Sequence, residues 1–222
     1  MSVRPTLLVD LDGTITDSLP GIARSLRVAL DEIGVRWPDD RDFRTAVGPP
    51  IPDTLAGLGV HGERAEAAIT AYRRRYSSIG WSENSVYPGM AELLADLAAD
   101  GYQMALATSK PEAQARKIVD HFELDHHFHF LGGADPTVGR YSKAEVIGHS
   151  LRALGLEPVE ASAGGTGEVL MVGDRAHDVE GAAHFGIPCC IVKWGYGSPR
   201  EWDTARWAAE STTELQSVIA GW

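Results

Sequence analysis

The chain is poor in cysteine, in positive charge and in long apolar runs. Its 222 residues include two cysteines, Cys189 and Cys190, and neighbours in sequence cannot cross-link distant segments. A disulfide scaffold is therefore excluded, and a reduced pair in a buried strand is expected. No apolar run approaches the roughly 20 residues that a bilayer span requires, and the opening MSVRPTLLVDLDG meets carboxylates too early for a signal peptide. A cytoplasmic protein with no membrane partner is expected. Lys and Arg number 20 against 31 Asp and Glu, a net charge of −11, which opposes the phosphate attraction behind most nonspecific nucleic-acid binding. A nucleic-acid polymer is not an expected partner. Repeats are absent, and low complexity is confined to Ala161–Gly167, which reads as a flexible surface loop.

What remains is ordinary globular usage, 44% hydrophobic and 23% charged, at a length that suits one core with a sizeable insertion. Thr6 to Val9 is a short β-rich run that ends in Asp10-Leu11-Asp12-Gly13, where turn chemistry begins. Apolar residues Ile22, Leu26, Leu30 and Ile33 recur at helical spacing up to Gly34. Further helices are expected around 40–46, 51–58 and 63–76. Beyond Tyr87-Pro88-Gly89 the pattern alternates: helix 90–99, strand 103–107, helix 111–122, strand 128–131, helix 142–154, strand 169–172, helix 176–185 and strand 189–192. That alternation predicts an α/β fold, a Rossmann-like parallel sheet with helices on both faces. Residues 1–17 and 88–222 then form the core domain, and residues 18–87 an inserted all-helical cap.

In an open parallel sheet, ligands bind beyond the carboxyl ends of the strands, so polar residues that end separate strands converge. Asp10 and Asp12 end the first strand, in positions that suit a nucleophile and an acid–base pair. Thr108 and Ser109 end the second, with free amides at a helix start where an anion is favoured. Lys143 follows the third. Asp174 ends the fourth, and Asp178 four residues later adds a second carboxylate of the kind that Mg²⁺ takes as ligand. Taken singly, each is an ordinary turn or helix cap; their order and common location at strand ends are not. Other clusters point less far. The histidines 121, 126, 127 and 129 lack the closed spacing of a zinc site, and Arg73-Arg74-Arg75 reads as a solvated helix face.

DLDGTITDS at Asp10–Ser18, LATSK at Leu106–Lys110, SKAEVI at Ser142–Ile147 and VGDRAHD at Val172–Asp178 resemble the four motifs of the haloacid dehalogenase-like phosphohydrolases. GYGS at Gly195–Ser198 resembles the subgroup with a helical cap, which includes phosphoglycolate phosphatases and 5′-nucleotidase-like proteins. The resemblance implies Asp10 as nucleophile, Asp12 as acid and base, and Thr108, Ser109, Lys143 and Gly13 around the phosphoryl group. It implies Mg²⁺ on Asp10, Asp12 through its carbonyl, Asp174 and Asp178, a small phosphate ester as substrate, and Gly48 in the Val47–Pro50 turn as the approach of the cap to the leaving group. Lys143 is followed by Ala144-Glu145-Val146 instead of the proline-rich pattern of phosphoglycolate phosphatases, which leans toward the nucleotidase-like relatives. A sugar phosphomutase and a catalytically idle binding protein are the alternatives. A dehalogenase is disfavoured, because it has no need of Asp12. Oligomeric state is left open by these motifs.

Overall fold

The computed structural model describes residues 5–222. The strands are β1 (Thr6–Val9), β2 (Thr16–Asp17), β3 (Ser85–Val86), β4 (Gln103–Pro111), β5 (Phe130–Ala134), β6 (Val169–Gly173), β7 (Cys189–Val192) and β8 (Trp207–Ala209). Six of them form one parallel sheet in the order β5-β4-β1-β6-β7-β8, while β2 and β3 pair separately. Residues up to Thr16 together with Val86–Trp222 make one compact unit, and Asp17–Ser85 make another.

In the second unit α1 (Leu19–Glu32), α2 (Ile51–Ala56) and α3 (Gly62–Ser78) share a small core, where Leu26, Ala29 and Leu30 pack with Leu55, Val60, Ala68 and Ala71. The i, i+3, i+4 spacing in α1 supplies one apolar stripe, which is what a helix needs to bury one face. Phe43–Ala46 is a single 3₁₀ turn instead of the expected helix, with Asp42 accepting from the Arg44 N–H at its start.

The first unit adds α4 (Met90–Ala99), α5 (Glu112–His121), α6 (Lys143–Ala153), α7 (Ala176–Ala183), α8 (Pro199–Trp202) and α9 (Thr212–Gly221). Every residue of β1, β6 and β7 is buried, which requires cover on both faces of the sheet. On one face Leu8, Ala105, Met171 and Ile191 pack with Val146, Ile147 and Leu151 of α6 and Ala182 of α7. Cys189 and Cys190 are free and buried in β7, as expected. Among the described residues no helix is long and apolar enough to cross a membrane.

Three differences from the sequence reading matter. β4 runs past Ala107 to Pro111, with its register against β5 broken between Thr108 and Pro111, so the whole Thr108–Lys110 motif lies in the strand. The last parallel strand, β8, is an unexpected edge: Trp207-Ala208-Ala209 is too short and too alanine-rich to carry a period-two pattern. The Ala161–Gly167 loop is tied down, since Ala161 N–H donates to the His184 carbonyl at 2.9 Å and Thr166 N–H to that of Phe185 at 2.8 Å.

Candidate active site

The central strand β1 delivers the first two carboxylates. Asp10 still pairs in the sheet, its N–H donating to the Val172 carbonyl at 2.9 Å, and its side chain is buried. Immediately after it the chain turns tightly: Gly13 N–H donates to the Thr16 carbonyl at 2.8 Å. Gly13 has φ +84°, and a Cβ there would stand 2.2 Å from Asp174 Oδ2. Only glycine meets both the backbone angle and the space.

Ser142 caps α6, with Glu145 completing a reciprocal capping box, and this fixes the direction in which Lys143 leaves the helix. Its ammonium is buried and donates to the Ala107 carbonyl at 2.8 Å. It also lies 3.0 Å from Asp10 Oδ1 and 2.6 Å from Asp178 Oδ1. Burial alone would lower its pKa, but the carboxylates of Asp10 and Asp178 outweigh that and hold it above the ordinary lysine value. Asp178 responds in the opposite sense: burial pushes its pKa up, Lys143 pulls harder, and the net is below the ordinary carboxylate range. Asp10 is raised, because burial and the Asp178 charge together exceed the opposing pull of Lys143, His177 and a hydrogen bond from the Thr108 hydroxyl.

At the end of β6, Asp178 Oδ2 accepts from the N–H groups of Asp174 at 3.1 Å and Arg175 at 3.0 Å. It thus caps α7 and anchors Lys143 together. Arg175 is held in turn by Glu201 at 2.8 Å. Asp174 is fully buried, and desolvation, followed by the charges of Asp178 and Asp10, pushes its pKa well above normal. Lys143 answers the buried carboxylates of Asp10 and Asp178, and the third buried carboxylate, Asp174, adds negative charge beyond them, the condition under which a cation is taken up. Among the described residues, four buried oxygens of the site, those at Oδ1 of Asp10, Asp12, Asp174 and Asp178, accept no hydrogen bond, and those of Asp10 and Asp178 face the Lys143 ammonium. Hard oxygen donors of this kind suit a small divalent ion.

The structure therefore gathers Asp10, Asp12, Gly13, Thr108, Lys143, Asp174 and Asp178 in the core unit, with Ser109 half-buried in the broken end of β4. Gly48 belongs to the helical unit, where its φ is +103°. Two further residues had not been singled out. Lys110, the last residue of LATSK, is buried with its ammonium 2.6 Å from Asp12 Oδ2. Each aspartate at the end of β1 thus has its own lysine. His177 presents a nitrogen that lies, with oxygens of Asp10 and Asp178, within a 4.8 Å cluster. Lys110 had a readable signal, since residues two apart on a strand share a face with Thr108. His177 had none beyond its place inside VGDRAHD. The histidines at 121–129 form no such cluster with other ligand types among the described residues.

Comparison with known proteins places this site in context. Residues 7–192 match the model of the haloacid dehalogenase-like hydrolases. The chain is 46% identical over 194 residues to a protein of Mycobacterium tuberculosis named tyrosine-protein kinase PtkA, covering 87% of this chain and 64% of that relative. It thus spans less than two thirds of the mycobacterial protein. It is 38% identical over 198 residues to a 5′-nucleotidase of Pseudomonas aeruginosa, covering 89% of this chain and 86% of that one. A crystal structure from Clostridium acetobutylicum, described as a predicted phosphatase, superposes with a TM-score of 0.87 at 30% identity over the full length of both chains.

Proposed function

The chain belongs to the haloacid dehalogenase-like hydrolases, and on that premise we propose that it is a cytoplasmic, Mg²⁺-dependent phosphatase that hydrolyses a small phosphate monoester through an aspartyl-phosphate. The observation that carries this reading is the pair of differently held aspartates at one strand end, Asp10 on Lys143 and Asp12 on Lys110. A carboxylate nucleophile and a separate proton carrier are what two-step phosphoryl transfer to water needs.

Asp10 forms the bond to phosphorus as the bond from phosphorus to the ester oxygen breaks, and Asp12 gives a proton to that departing oxygen. Asp12 then takes a proton from the water that attacks the aspartyl-phosphate, which releases inorganic phosphate and restores both side chains. Lys143, Thr108 and Ser109 hold the phosphoryl oxygens, with Gly13 shaping the turn beside them, and fixed donors of this kind stabilise developing charge. Asp10, the Asp12 carbonyl and Asp174, with Asp178 directly or through water, would hold Mg²⁺, which when bound neutralises charge on the transferring group. Residues 18–87 act as the cap domain that ranks leaving groups.

The test is inorganic phosphate release across sugar phosphates, 5′-nucleotides, phosphoglycolate and phosphotyrosine, with Mg²⁺ and after chelation. Release that stops on chelation and returns with Mg²⁺ is expected; full turnover after exhaustive chelation would remove the ion from the mechanism. The 46% identity to the mycobacterial protein named a tyrosine kinase favours a second reading, in which ATP is the donor and a tyrosine hydroxyl replaces water as acceptor. Incubation with γ-labelled ATP and a tyrosine-containing protein separates them: label on protein tyrosine supports the kinase, and no such label from a chain that releases inorganic phosphate from monoesters supports the hydrolase.

A further inference from the structure

The Gly195-Tyr196-Gly197 segment has no part in the chemistry above, yet it is built against Asp174. Tyr196 N–H donates to Asp174 Oδ2 at 2.6 Å. A Cβ on Gly195 would lie 2.3 Å from the Gly13 carbonyl oxygen and 2.4 Å from Asp174 Cβ, and one on Gly197 would lie 2.0 Å from the Asp174 carbonyl oxygen. Together with Gly13, two segments far apart in sequence leave no room for a side chain around one carboxylate. The other oxygen of that carboxylate, Asp174 Oδ1, is buried and accepts no hydrogen bond.

We propose that the Gly195–Gly197 turn is a positioning element that commits Asp174 Oδ2 to the protein, so that Asp174 offers a divalent cation one oxygen and the site favours Mg²⁺ over Ca²⁺. The inference rests on the metal-dependent reading of the site given above. Mg²⁺ demands a near-octahedral set at about 2.0–2.1 Å, whereas Ca²⁺ takes about six to eight oxygens at longer range and readily accepts both oxygens of one carboxylate. A main-chain donor fixed on Oδ2 closes the two-oxygen mode. Outer partners of this sort orient a ligand without touching the ion. The clashes at Gly195 and Gly197 involve backbone or the first side-chain atom, which no change of rotamer relieves. A methyl group at either position must therefore move the donor off Oδ2 or shift Asp174 itself.

The deciding measurement is calorimetric titration of Mg²⁺ and of Ca²⁺ into the full chain and into Gly195→Ala and Gly197→Ala, with folding checked by circular dichroism. Mg²⁺ affinity should fall about tenfold or more and Ca²⁺ affinity clearly less, so that the ratio moves toward Ca²⁺. A purely structural turn would lower thermal stability and leave the ratio unchanged, and an unchanged ratio in a folded variant overturns the proposal. Should neither variant fold, hydrogen exchange on the unaltered chain decides: saturating Mg²⁺ should slow exchange at the Tyr196 amide. Unslowed exchange there, while Mg²⁺ raises the melting temperature, overturns the proposal and spares the metal reading. Absence of both Mg²⁺ heat and melting shift overturns the metal reading, and this inference with it.

Discussion

Lys143 in the core unit and Arg74 in the helical unit are both cations paired with carboxylates, and they sit in opposite media. The Lys143 side chain is 3% exposed and faces Asp10 and Asp178, themselves 6% and 0% exposed. Arg74 is 62% exposed and faces Glu32, at 46%. Water screens the second pair, and such pairs are worth about 0–1 kcal/mol. The first group has surrendered its hydration, so removing the lysine strands both carboxylates. Proximity alone therefore says little about consequence; burial decides which charges the molecule depends on. Arg75, beside Arg74, belongs between the two, pairing with Glu83 at 2.7 Å at the edge of the helical core.

The sharpest way to break the comparison is at the nucleophile. Asp10→Asn should cut turnover by about 10⁴-fold or more while circular dichroism stays native, because Lys143 keeps Asp178 as partner. Substantial residual phosphate release would sink the covalent route. Next in size, Asp12→Asn should slow esters with poor leaving groups by about 10²–10⁴-fold and p-nitrophenyl phosphate far less, since p-nitrophenolate departs with little need of a proton. Equal losses for both in single-turnover kinetics would speak against the acid role.

The stability side of the comparison comes third. Lys143→Met should cost about 3–5 kcal/mol in urea unfolding by stranding Asp10 and Asp178, and Arg74→Met no more than about 1 kcal/mol. Similar costs for the two would mean that burial does not separate them. The smallest effect is expected in the helical unit: Gly48→Val should change the ranking of substrates or raise KM several-fold, roughly the reach of one altered side chain in a binding site, with p-nitrophenyl phosphate affected least. An unchanged ranking in a folded variant would place substrate selection elsewhere among residues 18–87.

How much of this was legible beforehand follows from the same physics. β1, β6 and β7 were readable because strands buried on both faces are continuous apolar runs; Asp10 and Asp174 followed from where two of those runs stop, and Thr108 from the end of the apolar stretch of β4. β8 was not, because three residues at a sheet edge carry no period. Lys110 lies beyond the apolar run that marks the strand in sequence, which stops at Ala107; with β4 continuing to Pro111, its side of the sheet is that of Thr108. The role of Asp178 as an anchor for Lys143 depends on a lysine more than thirty residues earlier in the chain, and no local pattern encodes that. The tying of Ala161–Gly167 to the end of α7 was equally invisible, since glycine-rich composition describes the loop and not its hydrogen bonds.

The two cysteines of β7 have a practical consequence for the bench. Burial pushes the Cys190 thiol up to about 12 and the Cys189 thiol well above its ordinary value, and alkylating reagents attack the thiolate. Neither sulfur can therefore be labelled while the sheet is closed. In a chain with no other cysteine, the appearance of label becomes a clock for the opening of β7, read by mass without any added probe. Because β7 lies beside the strand that carries Asp174, the same clock times the loss of the site, and the slowing of that clock by a bound cation or substrate measures how tightly the ligand holds the sheet shut.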